Sequence, residues 1–180
     1  MQLRLGRLGL AVAAVIGLAG LELHAQVPDV EGTLVVVNKG AANASIVDVR
    51  SGEVLATLPT GDGPHEVALS PDGTTAVITD YDGRSAGRSR TVVHVPSLRV
   101  IRTIVLGAHE RPHGIAYLED SEQVLVTSES TGSVVVVDVG SGEVTEVLPT
   151  SQGGSHMLAL PGQATWVWTS NIRLRARVGG

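Results

Sequence analysis

The stretch IVDVRSGEVLATLPT at residues 46–60 returns as VVDVGSGEVTEVLPT at residues 136–150, ninety positions later. A divergent copy, VVHVPSLRVIRTIVL, lies midway at residues 92–106, so the repeating unit is about 45 residues long. A second motif keeps the same phase. GPHEVALSPDG occupies 63–73, RPHGIAYLEDS 111–121 and GSHMLALPGQ 154–163, which sets His65, His113 and His156 at intervals of 48 and 43. A chain made of like units folds as a stack of supersecondary elements, because one unit cannot bury its apolar face alone.

Short runs rich in Val, Ile and Thr, bounded by turn residues, read as strands. Four fall in each whole unit: 65–70, 75–80, 91–96 and 99–106, then 113–117, 123–128, 133–138 and 143–149. Three precede them near 33–38, 44–49 and 53–60, and two follow near 156–160 and 165–170. Ser-Gly-Glu at 51–53 and 141–143 reads as a hairpin turn whose glycine supplies a positive φ. Pro71-Asp72-Gly73 reads as another tight turn, and DGRSAGRSR at 82–90 as an exposed polar loop. Four short antiparallel strands per 40 to 45 residues is the pattern of a propeller blade. The fold class is therefore all-β, a β-propeller of four-stranded antiparallel blades. About three blades are present, which makes an incomplete ring.

Composition narrows the function. Hydrophobic residues make up 43% of the chain but Phe is absent, so Val, Leu, Ile and Ala must build the core. A net charge of -5 and four Trp and Tyr residues in all leave neither the basic surface nor the stacking platform that nucleic acid needs. With no cysteine there is no disulfide, covalent c-type haem site or catalytic thiol. Neither a Gly-x-Ser-x-Gly elbow nor a Gly-rich phosphate loop occurs.

Residues 1–25 differ in kind. Arg4 and Arg7 precede an apolar run from Leu8 to Leu21, and Leu23-His24-Ala25 follows. That is the layout of a secretory leader cleaved after Ala25, so a periplasmic or secreted protein is expected, with no membrane span after cleavage. Residues 26–32 read as a linker and 33–170 as the repeat region.

The repeats carry a resemblance. Val37-Asn38, the Val-Asp-Val-x-Ser-Gly-Glu-Val hairpin, Leu58 to Gly61, and the Pro-His-x-x-Ala of both PHEVA and RPHGIA resemble the YVTN-type repeat of bacterial propellers, close to the YncE-like family. The resemblance implies a ring of about seven blades. The chain ends after the equivalent of just over three, so a truncated member is expected. Its tail, residues 171–180, departs from the repeat. IRLRARVGG reads either as an edge strand with outward arginines or as the end of a truncated chain. Open blade edges would invite self-association.

The same resemblance makes the three Pro-His or Ser-His segments the innermost strands, lining the central channel. His65, His113, His156 and Arg111 are then candidates for the channel mouth, where a ligand or protein partner would bind. Three imidazoles suit zinc or copper. The alternative is that each ring bonds a turn carbonyl and orders the blade junction, with blades too far apart for shared ligation and no cofactor. His94 reads as structural, and His109 as a loop residue. Asp80, Asp82 and Glu129 read as turn caps at strand ends. Two functions follow: a non-enzymatic binding scaffold, or a metal-binding or enzymatic propeller of the lactonase, haem d1 or copper-site type.

Overall fold

A computed structural model describes residues 30–82, 87–119, 122–161 and 166–173. The expected leader, most of the expected linker, the centre of the 82–90 loop and residues 174–180 lie outside the described residues. Those described form thirteen strands: β1 (Thr33–Asn38), β2 (Asn43–Asp48), β3 (Val54–Pro59), β4 (Pro64–Leu69), β5 (Thr75–Asp80), β6 (Ser89–His94), β7 (Arg99–Val105), β8 (Pro112–Tyr117), β9 (Gln123–Ser128), β10 (Ser133–Asp138), β11 (Val144–Pro149), β12 (Gly153–Ala159) and β13 (Trp168–Arg173). They make four antiparallel sheets in chain order: β1-β2-β3, β4-β5-β6-β7, β8-β9-β10-β11 and β12-β13. The expectation of blade-like all-β sheets in an unclosed array holds.

The two middle strands of each full sheet are buried on both faces, and their alternation assigns each face to a neighbour. Ala76, Ile78 and Val93 pack toward Val35, Ala44 and Ile46 of the first sheet. Val77 and Val92, one residue out of phase, join Ile104 and Leu106 against Val124, Val126, Val135 and Val137 of the third. Leu125, Val134 and Val136 then meet Leu158, Leu160 and Val167 of the fourth. Each fully buried aliphatic side chain contributes about 1.5–3 kcal/mol, and β-branched residues suit both the pleat and the tight sheet spacing.

The repeated hairpin is held by its own side chains. Asp48 Oδ1 accepts from Ser51 N at 2.7 Å and Asp138 Oδ1 from Ser141 N at 2.7 Å, while Gly52 and Gly142 take φ of 71° and 81°. The divergent copy reaches the same turn differently: His94 Nδ1 pairs with Ser97 Oγ at 2.8 Å, and Leu98 takes the left-handed position at φ 55°. His94 thus closes a strand rather than standing within one.

One core position breaks the apolar pattern. Arg90 occupies the site of Ala44 and Val134 in the flanking sheets and is fully buried. Its Nη1 donates to the Ser89 carbonyl, and Nε and Nη2 have no partner among the described residues. Burial pushes its guanidinium down to about 9, opposed by the charge of Asp80.

The ends of the array differ from expectation. β12 begins at Gly153 and β13 runs from Trp168 to Arg173, later than the stretch 165–170, so Asn171, Ile172 and Arg173 of the expected tail are strand residues. Register decides this, since Gly153 pairs with Arg173 and Ala159 with Trp168.

The third and fourth sheets approach closely at Gly114. A Cβ there would lie 2.8 Å from Leu158 N, 2.9 Å from His156 O and 3.0 Å from Met157 Cα. Because these are backbone atoms of the next sheet, Gly114→Ala is expected to destabilise the chain by about 1–3 kcal/mol. Thermal unfolding of the full chain should show a midpoint lowered by about 2–4 °C per kcal/mol.

Candidate functional site

The three Pro-His or Ser-His corners share a backbone irregularity. In the β4–β5 ladder Pro64 faces Asp80 and Val67 faces Ile78, so His65 and Glu66 together oppose Thr79. In β8–β9, His113 and Gly114 oppose Thr127, and in β12–β13, His156 and Met157 oppose Ser170. Two residues against one is a β-bulge, which re-aims side chains and leaves an amide without a ladder partner. A hydroxyl fills each gap. Thr79 accepts from Glu66 N at 2.9 Å, Thr127 from Gly114 N at 2.8 Å and Ser170 from Met157 N at 3.3 Å. Two residues before each histidine the backbone turns left-handed, at Gly63 (φ 60°), Arg111 (φ 54°) and Gly154 (φ 67°).

These corners bring the rings into contact. The His65 and His113 centroids are 4.2 Å apart and nearly perpendicular, and those of His113 and His156 are 3.5 Å apart. The expectation that blade spacing keeps the rings apart is therefore corrected. The bulges lean each ring toward the shared axis, and glycine at 114 lets β8 and β12 approach. The alternative role, a bond to a turn carbonyl, is corrected for His156, which pairs with a carboxylate: its Nδ1 lies 2.7 Å from Glu129 Oε1.

A second tier comes from the residues that directly follow β1, β5 and β9: Lys39, Tyr81 and Glu129. Glu129, expected to cap a turn, is instead buried at the centre of a network. Its Oε2 accepts from Tyr81 Oη at 2.9 Å and from Arg111 Nε at 3.1 Å, and Arg111 Nη2 also donates to Tyr81 Oη. The Arg111 guanidinium lies 4.6 Å from the Tyr81 ring centroid and Lys39 Nζ lies 5.0 Å from it. Lys39 Nζ is also 3.4 Å from His65 Nδ1. Asp80 is likewise buried rather than a turn cap, accepting from Ser89 and Thr91 of the adjacent strand.

Burial, then the neighbouring rings of His156 and His65, pushes His113 down to about 4. Burial, then the Lys39 charge, also lowers His65. Burial works against the Glu129 carboxylate, yet hydrogen bonds from His156, Tyr81 and Arg111 outweigh it and hold the group below the usual carboxylate range. The Tyr81 phenol is raised by burial and by Glu129. The pole thus sets two imidazoles biased toward the neutral form, His65 and His113, beside an ionised, hydrogen-bonded carboxylate and a protonated phenol. Ser155 turns away from His156 and bonds Thr150 and Asn171. His109 bonds Thr131 at 3.0 Å, outside the cluster.

The structure thus gathers all four candidates, His65, His113, His156 and Arg111, and adds Lys39, Tyr81 and Glu129. The signal for these three was positional, one residue after β1, β5 and β9, and not a shared residue type. A lateral groove of about 650 Å³ between the second and third sheets, lined by residues including Asp72, Arg102 and Tyr117, gathers no comparable cluster.

No family model and no curated protein matches the sequence. Among solved structures the chain is similar to hydrazine synthase of Kuenenia stuttgartiensis, with TM-score 0.68 and 22% identity over 76% of this chain and 38% of that one. It is also similar to the WD40 repeats of RRP9 (TM-score 0.61, 20% identity, 70% of this chain and 38% of that). A third likeness is to dihydro-heme d1 dehydrogenase NirN (TM-score 0.58, 21% identity, 77% and 32%). WD40 repeats are propeller blades. The fold is an unclosed β-propeller. At these identities the likeness concerns the fold alone, and the chain spans about 38% of the length of the first of these structures.

The buried rings set a pH dependence. Between pH 6.5 and about 4 the unfolded chain binds a proton at His113 that the folded chain does not, so stability falls as pH drops through that window. The Glu129 contribution is lost lower, as pH falls through its depressed value. Urea denaturation of the full chain from pH 7.5 to 4 should show the decline, worth about 3 kcal/mol at most for His113, and His113→Gln should flatten it.

Proposed function

We propose that this chain is an exported β-propeller scaffold of the YVTN-repeat, YncE-like kind, binding a ligand or protein partner at the channel mouth. The observation that carries the reading is the convergence of His65, His113 and His156 with Arg111, Tyr81 and Glu129 at one end of three adjacent sheets. Most of these groups hold one another in place, which preorganises a polar surface rather than activating a nucleophile. Export rests on the leader pattern of residues 1–25.

Both halves of the reading can be tested separately. Expressed in a Gram-negative host, the full chain should be recovered outside the cytosol with Gln26 as its first residue, and deletion of residues 2–25 should hold it in the cytosol. Retention of the full chain in the cytosol would count against export. For the pole, thermal-shift screening with divalent metals, carboxylates, phosphates and sugars should yield stabilising ligands. Their effect should vanish in a His65→Ala/His156→Ala double variant, both positions being only half-buried. Stabilisation that persists unchanged in that variant would move the binding surface elsewhere.

A further inference from the structure

Within the pole, donor atoms fall into two compact sets. One ligand atom each from His113, Glu129 and His156 lie within 4.8 Å of one another, and the same holds for His65, Glu66 and His113. His113 belongs to both. It is 4% exposed, and its Nδ1 has no hydrogen-bond partner among the described residues. A buried ring nitrogen without a partner is unfavourable by the desolvation it suffers, and the ring that carries it stands beside a second imidazole and a carboxylate.

The two sets are not equal. Glu129 is fixed from both sides, with Tyr81 and Arg111 on Oε2 and His156 on Oε1. Hydrogen bonds of that kind orient a ligating carboxylate and imidazole before an ion arrives. Glu66, by contrast, is only half-buried, and the neighbouring His65 has an ammonium against its Nδ1. An ammonium can only donate, so it takes up the lone pair of a ligand nitrogen itself, whereas the Arg111 guanidinium meets Glu129 only at Oε2 and leaves Oε1 on the side of His156.

We propose that His113, His156 and Glu129 bind one divalent transition-metal ion of the zinc class, with His65 as an auxiliary group. The proposal rests on the pole being the binding surface. Two imidazole nitrogens and one carboxylate oxygen form a donor set suited to zinc, with a coordination position left open. Imidazole also accepts copper, whereas thiolate sites are excluded by the absence of cysteine.

The test uses the full chain, stripped with a chelator, and zinc as the probe. After dialysis against trace zinc, elemental analysis should find about one ion per chain, as expected of a single preformed site. His156→Ala and Glu129→Gln should each weaken zinc binding at least about 10–100-fold by calorimetry. Lys39→Met should tighten it several-fold, because a repelling charge is removed. A His94→Ala/His109→Ala double variant should bind as the parent does. Cobalt(II) added in place of zinc should give a visible spectrum that His113→Ala abolishes. Circular dichroism reports whether each variant folds; if His113→Ala does not, the half-buried His156 carries the comparison. Failure of the folded parent to retain zinc, or equal retention by His156→Ala and Glu129→Gln, would overturn the proposal. If zinc fails while other polar ligands lose their effect in the His65→Ala/His156→Ala variant, the metal site falls and the binding pole stands.

Discussion

Two-sided burial of the middle strands is the constraint on which the rest of this structure depends. β5, β6, β9 and β10 present apolar side chains to both faces, and no sheet of four short strands can cover both faces of itself. Each sheet therefore needs a neighbour on either side. Odd and even positions divide between them, so Val77 and Ile78, adjacent in sequence, belong to different cores. Once the sheets stack face to face, equivalent corners of successive repeats must lie near one another. The histidine pole follows from sheet packing and is not separately assembled.

Whether those corners meet is decided by a smaller device. A regular ladder at β4, β8 and β12 would alternate side chains without leaning any of them toward the axis. The extra residue at each corner breaks the ladder, and Thr79, Thr127 and Ser170 each take the released amide. The bulge is thus satisfied within its own sheet. Thr127 does more, since its hydroxyl also bonds the His156 carbonyl of the next sheet and ties two corners together. Glu129 is the electrostatic counterpart: a carboxylate from the third sheet that joins Tyr81 of the second to His156 of the fourth.

Strand number, strand order and the blade architecture were legible in the sequence because repetition supplies three readings of the same unit. The glycine turns were legible for the same reason, since Gly52 and Gly142 recur at one phase. The site was legible only where residue type recurred. Histidine recurs, so His65, His113 and His156 stood out. Lys39, Tyr81 and Glu129 share a place but not a chemistry, and matching the repeats by letters could not connect them. Asp80 and Glu129 looked like caps because acidic residues at strand ends usually meet solvent; here neighbouring sheets cover Glu129 with His156 and Tyr81, and the Gly61 turn with Ser89 and Thr91 encloses Asp80. The late start of β13 was hidden because the Trp-rich stretch marks where apolar residues lie, while pairing with Gly153 decides the register.

The occupants of that second tier give the pole a direction. Its backbone repeats, with one bulge, one hydroxyl and one imidazole in each of the second, third and fourth sheets. Its second tier is an ammonium, a phenol and a carboxylate in order around the axis. A guest with unlike sides would meet the Lys39 ammonium on one and the Glu129 carboxylate, paired with Arg111, on the other, which would favour one rotational setting. Repetition built a wheel, and divergence at a single position per spoke turned it into a compass.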